Sequence, residues 1–364
     1  MDPRIREHAS LLVHEALELE EGDDVVIKAP SVAEDLIVAL HEVIGDVGAN
    51  PVAQYTTRGG RAIRAYLRAY DGDFDTPDHE MALIESADAH VHVRGHENVT
   101  EKSDVDPERS ADWEQAQRPI LNERLTDNWT LTQYPAPANA QLAEMSTAGY
   151  ENFVWDAINK DWDEQHELQE RMVEILDPAD EVRIVSGDTT DVTMSVAGNN
   201  TINDTCTNNV PGGEVFTAPV PDSVEGEVLF DKPLYHQGRE VLDAYVKFEG
   251  GEVVEHSAEK NEDVLTGILE TDDGARRLGE LGIGMNRAID RFTYNMLFDE
   301  KMGDTVHMAV GRAYEANVGE GNERNESAVH VDMIVDMSED SYIEVDGEVV
   351  QRNGTFRFED GFED

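Results

Sequence analysis

The sequence of 364 residues predicts an α/β protein with two domains, a parallel α/β domain at residues 1–177 and a β-rich α+β domain at residues 178–364. In the first half, helix patterns with one apolar face alternate with short apolar strand patterns, which is the rhythm of a parallel sheet covered by helices. After Pro178, short strands joined by glycine-containing turns dominate, and this is typical of antiparallel hairpins. The chain length also fits two domains.

The first domain opens with a helix pattern over residues 5–20, and the apolar run 25–27 predicts a buried strand. Ser31 is placed to cap a second helix that reaches residue 44. The elements predicted next are the strands 51–55, 89–93 and 129–132 and three helices, one opened by Gly59 and Gly60 and ending at residue 70, one over 111–125 with a kink or break at Pro119, and one over 150–176. The last helix is expected to bridge the two domains.

The second domain is predicted to consist of short strands, at residues 182–186, 192–196, 228–230, 245–248 and 253–255. Two hairpins are expected, one turning at Gly250-Gly251 and one at Asp346-Gly347. A helix pattern in this half covers residues 261–281.

Acidic residues dominate the composition. There are 79 Asp and Glu against 28 Lys and Arg, of which seven are lysine, and the net charge is −51. Because the acids are spread along the whole chain, they indicate a solvated surface and not an acidic tail. Such a surface needs salt to screen its self-repulsion, so we expect a halophilic protein from a high-salt cytoplasm. Nucleic acid and anionic membranes are disfavoured as partners, because the sequence has no basic patch to meet phosphates.

The cysteine count and the hydropathy pattern also indicate a cytoplasmic protein. Cys206 is the sole cysteine, which excludes an internal disulfide and a cysteine-rich metal site. No apolar run approaches the ~18 residues of a transmembrane helix. Residues 1–8 lack the apolar region of a signal peptide.

Potential metal ligands are concentrated in the second half of the chain. Each lies in a short stretch whose sequence is typical of a functional site. They are Glu214, Glu280, Glu300, His307, His330 and Asp332. Mixed carboxylate and imidazole ligands suit a divalent metal such as zinc, cobalt, manganese or magnesium. Because each added cation needs anionic compensation, this many carboxylates favours two metal ions over one.

Local patterns place some of these side chains together. His330 and Asp332 are one residue apart in a strand pattern, so both project from the same face. His307 stands opposite Val306 and Met308 in a similar pattern. For each residue alone, an ordinary surface or hydrogen-bonded role is the simpler interpretation, and the metal site depends on convergence in space.

Two further candidate carboxylates lie beside glycines. Glu214 follows the turn-forming pair Gly212-Gly213, where a buried carboxylate would be costly without a partner. Glu280 lies among glycines whose spacing is not that of a dinucleotide-binding loop. A solvated turn remains the alternative for both.

Other kinds of site find less support. His90, His92 and His96 form a rival cluster, but the first half offers no matching set of carboxylates in glycine-rich turns. A serine hydrolase is not supported, because the sequence contains no Gly-x-Ser-x-Gly motif. Paired-carboxylate glycosidase chemistry stays open on composition alone, because 79 acids provide many pairs.

Taken together, these stretches resemble the aminopeptidase T family of metallo-aminopeptidases, which includes aminopeptidase S and PepS. The resemblance is strongest between Asn209 and Asp332 and extends to residues 129–135, residues 138–141 and Asn286. It implies an N-terminal α/β domain and a C-terminal domain with a two-metal site, in a homodimer. The acidic composition indicates a haloarchaeal member.

The resemblance also implies roles for individual residues. The six candidates fall on metal-ligand positions, and Glu300 would be the carboxylate that both metals share. Tyr314, seven residues after His307, falls on the position of a catalytic tyrosine.

We therefore expect a metallo-aminopeptidase that removes N-terminal residues from a peptide substrate through a water activated by two metals, with Tyr314 and Glu300 as catalytic residues. Two alternatives stay open. One is a phosphoesterase-like two-metal hydrolase, for which Arg312 and Arg324 are the nearest cations in sequence. The other is a non-enzymatic binding protein stabilised by a fully coordinated metal.

Overall fold

The computed structural model describes residues 2–56, 60–236 and 238–363. By packing, the chain forms two compact units, named here the N-terminal unit (Met1–Lys160 with Cys206–Pro211) and the C-terminal unit (Asp161–Thr205 with Gly212–Asp364). The domain boundary expected after residue 177 stays a prediction.

Helices and strands alternate in the first half of the chain, and strands dominate the second half. The strands are β1 Asp24–Pro30, β2 Asn50–Thr56, β3 Ala89–Arg94, β4 Asn128–Gln133, β5 Glu181–Ser186, β6 Thr190–Ser195, β7 Ile202–Asp204, β8 Asn209–Val210, β9 Glu214–Thr217, β10 Glu225–Phe230, β11 Leu234–His236, β12 Arg239–Val241, β13 Ala244–Glu249, β14 Glu252–Ser257, β15 Leu278–Gly284, β16 Thr305–Gly311, β17 His330–Asp336, β18 Ser341–Val345, β19 Glu348–Arg352 and β20 Thr355–Phe356. The α-helices are α1 Pro3–Leu11, α2 Glu34–Val47, α3 Arg61–Ala69, α4 Asp78–Glu85, α5 Pro107–Arg124, α6 Pro137–Leu142, α7 Thr147–Ile158, α8 Trp162–Leu176, α9 Glu262–Leu269 and α10 Met296–Asp299.

The N-terminal unit is built on a five-stranded sheet in the order β2-β1-β3-β4-β8. Each neighbouring pair in this sheet is parallel. Val25, Val26 and Ile27 of β1 form a continuous buried run, which is characteristic of a parallel strand covered on both faces. The predicted parallel α/β fold of the first half is confirmed.

The C-terminal unit contains two larger antiparallel sheets. One has eight strands in the order β14-β13-β10-β6-β5-β18-β19-β20, and the other has five in the order β17-β16-β15-β9-β7. Their apolar side chains share one core, to which Ile184 and Val228 contribute from the eight-stranded sheet and Leu281, Val306 and Met308 from the five-stranded sheet. The second half is therefore β-rich, as predicted.

Three predicted helices of the first half differ from the structure. Helix α1 ends at Leu11 and is followed by a π-helical turn over Leu12–Ala16. Helix α5 runs through Pro119 without a break. The long pattern over 150–176 is two helices, α7 and α8, because the Asp161 carboxylate accepts the Glu164 N–H at 3.0 Å and caps a new helix.

The pattern over residues 261–281 was predicted as one helix, and this is wrong for its last part. Helix α9 is followed by the 3-10 turn Asp273–Arg276 and then by β15, a strand that is buried along its whole length. A bulge between Leu278 and Glu280 breaks the alternation of β15. It brings Leu278 and Leu281 to the same core at a spacing that imitates a helix.

Both predicted hairpins are confirmed. Strands β13 and β14 pair across Gly250-Gly251, and β18 pairs with β19 across Asp346-Gly347.

Gly59, predicted to open helix α3, lies outside the described residues. None of the described helices is long and apolar enough to cross a membrane.

Candidate metal centre

The candidate site occupies the face of the five-stranded antiparallel sheet that points away from the shared core. Side chains alternate between the two faces of a strand, so the core positions Leu281, Val306 and Met308 leave Glu280 and His307 on the opposite face. In β17, the same alternation places His330, Asp332 and Ile334 on the face that points away from the core. The strand pattern read from the sequence is therefore confirmed for His307, His330 and Asp332.

The register of the three neighbouring strands brings these side chains together. Ala309 of β16 lies between Glu280 of β15 and Asp332 of β17 in the ladder. His307 pairs with Gly282, where an added Cβ would lie 2.0 Å from the imidazole ring. Glycine at this position gives the His307 ring the space to lie over β15.

Glu280 lies at the middle of the cluster. Its Oε1 is 3.1 Å from His307 Nε2, and its Oε2 is 3.6 Å from His330 Nε2. His330 Nε2 is also 3.5 Å from Asp332 Oδ1. Glu280, His307 and Asp332 each offer one potential ligand atom, and these atoms all lie within 4.8 Å of one another. A single cation can therefore be reached by all three.

Glu214 enters the cluster from the next strand, β9. Its Oε2 is 3.3 Å from His307 Nε2. The preceding Gly213 has a φ of +117°, and an added Cβ would lie 2.5 Å from Asn286 Cβ. A glycine is therefore required for the turn that delivers this carboxylate.

Both imidazoles are oriented by backbone carbonyls. Nδ1 of His307 is 3.0 Å from the carbonyl oxygen of Glu300, and Nδ1 of His330 is 2.7 Å from that of Arg312. Donation from Nδ1 fixes each ring and turns Nε2 towards the carboxylates. This is the arrangement by which proteins prepare histidine for a metal.

A buried lysine completes the cluster. Lys301 is fully buried, and its Nζ is 3.0 Å from Glu214 Oε1 and 3.8 Å from Asp204 Oδ2. The same Nζ donates a hydrogen bond to the Glu300 carboxylate. Glu300 thus joins the cluster through Lys301. The opposite charges around Lys301 outweigh its burial and raise its pKa well above the usual range, so it stays a cation.

The carboxylates of this cluster are removed from water. Burial raises the pKa of Asp204 to about 8 and also raises the pKa values of Glu214 and Glu280, although the neighbouring cations act in the opposite direction. Four buried carboxylate oxygens have no hydrogen-bond partner among the described residues, namely Asp204 Oδ2, Glu214 Oε2, Glu280 Oε2 and Asp332 Oδ1. Burying such atoms without a hydrogen bond is costly, so the donor set fits a cation that binds oxygen and nitrogen.

The pKa values of the two histidines are raised as well, but by neighbouring charges and not by burial. Burial would lower the pKa of both rings, but the surrounding carboxylates raise the pKa of His307 to about 9 and that of His330 to about 10. Burial would likewise raise the pKa of Asp332, but the His330 charge lowers it to about 2. The site therefore has strong electrostatic attraction for positive charge.

Tyr314 lies beside this cluster. Its ring centroid is 4.8 Å from that of His330 and 6.2 Å from that of Phe216. Desolvation and the charges of Glu280 and Asp332 raise the pKa of Tyr314, so the phenol keeps its hydrogen at neutral pH. The hydroxyl is available as a donor.

The rival histidine cluster does not assemble in the same way. His92 Nδ1 accepts a hydrogen bond from Arg124 at 2.6 Å, and His96 Nδ1 is 3.4 Å from the Asn139 amide nitrogen. Within residues 2–56, 60–236 and 238–363, the group of three potential ligands that meets metal-site geometry is Glu280, His307 and Asp332.

Lys301 and Asp204 were not singled out from the sequence. Asp204 lies in β7 and pairs in the ladder with Glu214, and no local sequence pattern indicates this pairing. One feature of the sequence could have drawn attention to Lys301. It is one of only seven lysines, and it follows an apolar run that ends at Phe298.

Comparisons with known proteins agree with this geometry. The model of the family described as thermophilic metalloprotease (M29) matches residues 1–356. The chain is 30% identical to aminopeptidase T of Thermus aquaticus, covering 93% of each chain. It is 27% identical to aminopeptidase 2 of Geobacillus stearothermophilus, covering 98% of each.

Two solved structures are similar. Wild-type AmpT from Thermus thermophilus has a TM-score of 0.87 at 26% identity, covering 98% of this chain and 99% of that chain. A 2,5-dihydroxypyridine dioxygenase from Pseudomonas putida KT2440 has a TM-score of 0.62 at 13% identity, covering 99% of each chain, and this likeness concerns the fold alone.

Fold and site together define a metal-dependent peptidase. The chain belongs to the M29 family of metalloproteases. It is a metallo-aminopeptidase.

Proposed function

We propose that this enzyme removes N-terminal residues from peptides with the help of two divalent metal ions, which are zinc, cobalt, manganese or magnesium. The observation that carries the proposal is the group Glu280, His307 and Asp332, whose potential ligand atoms lie within 4.8 Å of one another. Glu214, Glu300 and His330 complete the proposed ligand set. Six side chains are more than one ion needs, which supports a two-metal site.

Glu280 lies between the two imidazoles of the proposed ligand set. Its two oxygens face different imidazoles, at 3.1 Å from His307 and 3.6 Å from His330. The family resemblance implies that Glu300 would be the carboxylate shared by both metals and a catalytic residue, and its side chain accepts a hydrogen bond from Lys301. Both Glu280 and Glu300 would hold metal in the proposed site.

The bound metals supply a water of lowered pKa and polarise the scissile carbonyl. The protein contributes the remaining functions. The Tyr314 hydroxyl donates a hydrogen bond to the oxyanion that forms on the carbonyl. Lys301 neutralises Glu214 and Glu300 and holds both carboxylates in place. A carboxylate of the cluster accepts the α-ammonium group of the substrate, which explains a preference for free N-termini.

A phosphoesterase-like reaction is less well supported. It needs cations that face the metals and hold a phosphate. Arg324 is 3.7 Å from Glu315 and donates to Glu326, so its charge is already balanced. A fully coordinated structural metal is less well supported, because the relatives that the chain matches over most of its length are aminopeptidases.

Removal of the metals tests the proposed function. Hydrolysis of an aminoacyl-p-nitroanilide should stop after treatment with a chelator, because the water then loses its activation, and it should return when cobalt or zinc is added. A chelator already saturated with zinc serves as the control and should have no effect. Full activity after exhaustive chelation would contradict the proposal.

We further propose that the enzyme is a halophilic homodimer of the cytoplasm. The net charge of −51 and the scarcity of lysine support the halophilic part. The dimer rests on the family resemblance, and light scattering at molar salt should give twice the chain mass.

Salt dependence follows from the charge. Lowering potassium chloride from molar to ~10 mM lengthens the screening distance from ~3 to ~30 Å, so the acidic surface repels itself more strongly. The melting temperature and the activity should both fall. Sucrose, which favours compact states without screening charge, should not replace the salt. A melting temperature that is the same at all salt concentrations would count against halophilic adaptation.

A further inference from the structure

The N-terminal unit contains a cavity of about 260 Å³ between its parallel sheet and helix α5. Val26 and Lys28 of β1 lie opposite His90 and His92 of β3, and all four line this cavity. The cavity is part of neither the metal centre nor the C-terminal unit.

Three cations line the cavity, although the chain carries nearly three acids for each basic residue. They are Lys28, Arg94 and Arg124. Arg124 donates from Nη1 to His92 Nδ1 at 2.6 Å. Burial, followed by the charges of Arg124, Arg94 and Lys28, lowers the pKa of His92 to about 3. The ring is therefore neutral and acts as an acceptor that fixes the Arg124 guanidinium.

Lys28 Nζ is 2.9 Å from Glu80 Oε1, so this cation has a carboxylate partner. The charge of Arg124 has no carboxylate partner among the described residues, because its guanidinium donates to the neutral His92 ring. Burial, followed by repulsion from Arg94, lowers the pKa of Arg124. Holding like charges close together is unfavourable without an anion.

Buried donors at the cavity wall lack acceptors. Arg124 Nε and Gln117 Nε2 have no hydrogen-bond partner within the part of the chain that the structure describes. A buried donor without an acceptor is destabilising. Both side chains line the cavity, so an oxyanion bound there is close to the groups that need one.

The rest of the lining is apolar. Val26, Ile84, Ile120 and Leu131 contribute aliphatic surface. A ligand therefore needs an apolar body as well as an anionic head. The volume of about 260 Å³ lies just below the ~300–1,000 Å³ of typical small-molecule pockets, which limits the ligand to about the size of one amino acid.

We propose that this cavity binds a small organic carboxylate, with the carboxylate at Arg124 and Arg94 and an aliphatic body against Ile84, Ile120 and Leu131. The ligand is either a free carboxylic acid or the C-terminal residue of a peptide, because both present the same head and a body of suitable size. This site is separate from the proposed peptidase reaction and does not depend on it.

Isothermal titration calorimetry on the full-length protein, at constant high ionic strength, tests the site. The probes are 4-methylpentanoate, the N-acetylated peptide Ala-Ala-Leu with a free C-terminus, the uncharged 4-methylpentanamide and inorganic phosphate. We expect at least one of the two carboxylates to bind with a Kd below about 1 mM and the amide not to bind. Which carboxylate binds more tightly identifies the source of the ligand.

Variants locate the binding. Arg124→Gln should weaken carboxylate binding by about 30-fold or more, the loss expected when one partner of a buried charged pair is removed. Arg118→Gln is the matched control, because Arg118 is an exposed residue of the same helix and does not line the cavity. Arg94→Gln provides a second test at an exposed position if Arg124→Gln fails to fold.

Three results would overturn the proposal. The first is that neither carboxylate binds the wild-type protein. The second is that phosphate binds more tightly than both carboxylates. The third is that folded Arg124→Gln or Arg94→Gln binds as well as Arg118→Gln.

Discussion

Glu280→Gln should deprive the enzyme of both its metal and its activity. The substitution keeps the size of the side chain, but it removes the charge and places an amide N–H₂ near His307 or His330, which are 3.1 and 3.6 Å from the carboxylate oxygens. Activity should fall by more than ~10²-fold. Removal of a residue that only supports a metal ligand costs up to ~10²-fold, and loss of a ligand itself should cost more. Metal content by mass spectrometry and peptide hydrolysis are measured on the same sample.

Glu255→Gln is the matched control, because Glu255 is an exposed residue of β14 in the same unit. It should leave metal content and rate unchanged. If Glu280→Gln fails to fold, Asp332→Asn on β17 removes another ligand oxygen and should show the same joint loss. A folded Glu280→Gln protein with full metal content and full activity would show that the ligand assignment is wrong.

Tyr314→Phe should separate catalysis from metal binding. The phenylalanine keeps the ring that packs 4.8 Å from His330, and only the hydroxyl is lost. Because the hydroxyl is proposed to act on the oxyanion, kcat should fall by ~10²–10³. The metal content should stay at the wild-type level, and KM should change less than kcat, since the interaction forms in the transition state.

The control for this variant is Tyr235→Phe, since Tyr235 and Tyr314 have the same exposure of 43%. It should not change kcat. Loss of metal from Tyr314→Phe would identify the tyrosine as a ligand or a structural residue. An unchanged kcat would contradict its catalytic role.

Local periodicity was sufficient to predict part of the site. The spacing of His330 and Asp332 requires one shared face in any strand, and β17 shows it. His307 was placed opposite Val306 and Met308 by the same rule, and β16 shows this too. These predictions succeeded because they depend on neighbouring residues only.

Relations between distant segments could not be predicted from periodicity. The approach of Lys301 to Asp204 and Glu214 depends on how β7 and β9 pair, and nothing near Lys301 in the sequence encodes that pairing. The bulge between Leu278 and Glu280 imitated helix spacing and concealed the strand that carries Glu280, a proposed ligand. In the family resemblance these residues were matched by motif, without any information on the distances between them.

The buried Lys301 has a consequence for the charge balance of the site. Its ammonium group lies among Glu214, Glu300 and Asp204 and gives part of the carboxylate cluster a permanent counter-charge. Part of the negative charge of the cluster is therefore balanced by the chain itself, and this balance does not depend on a bound ion.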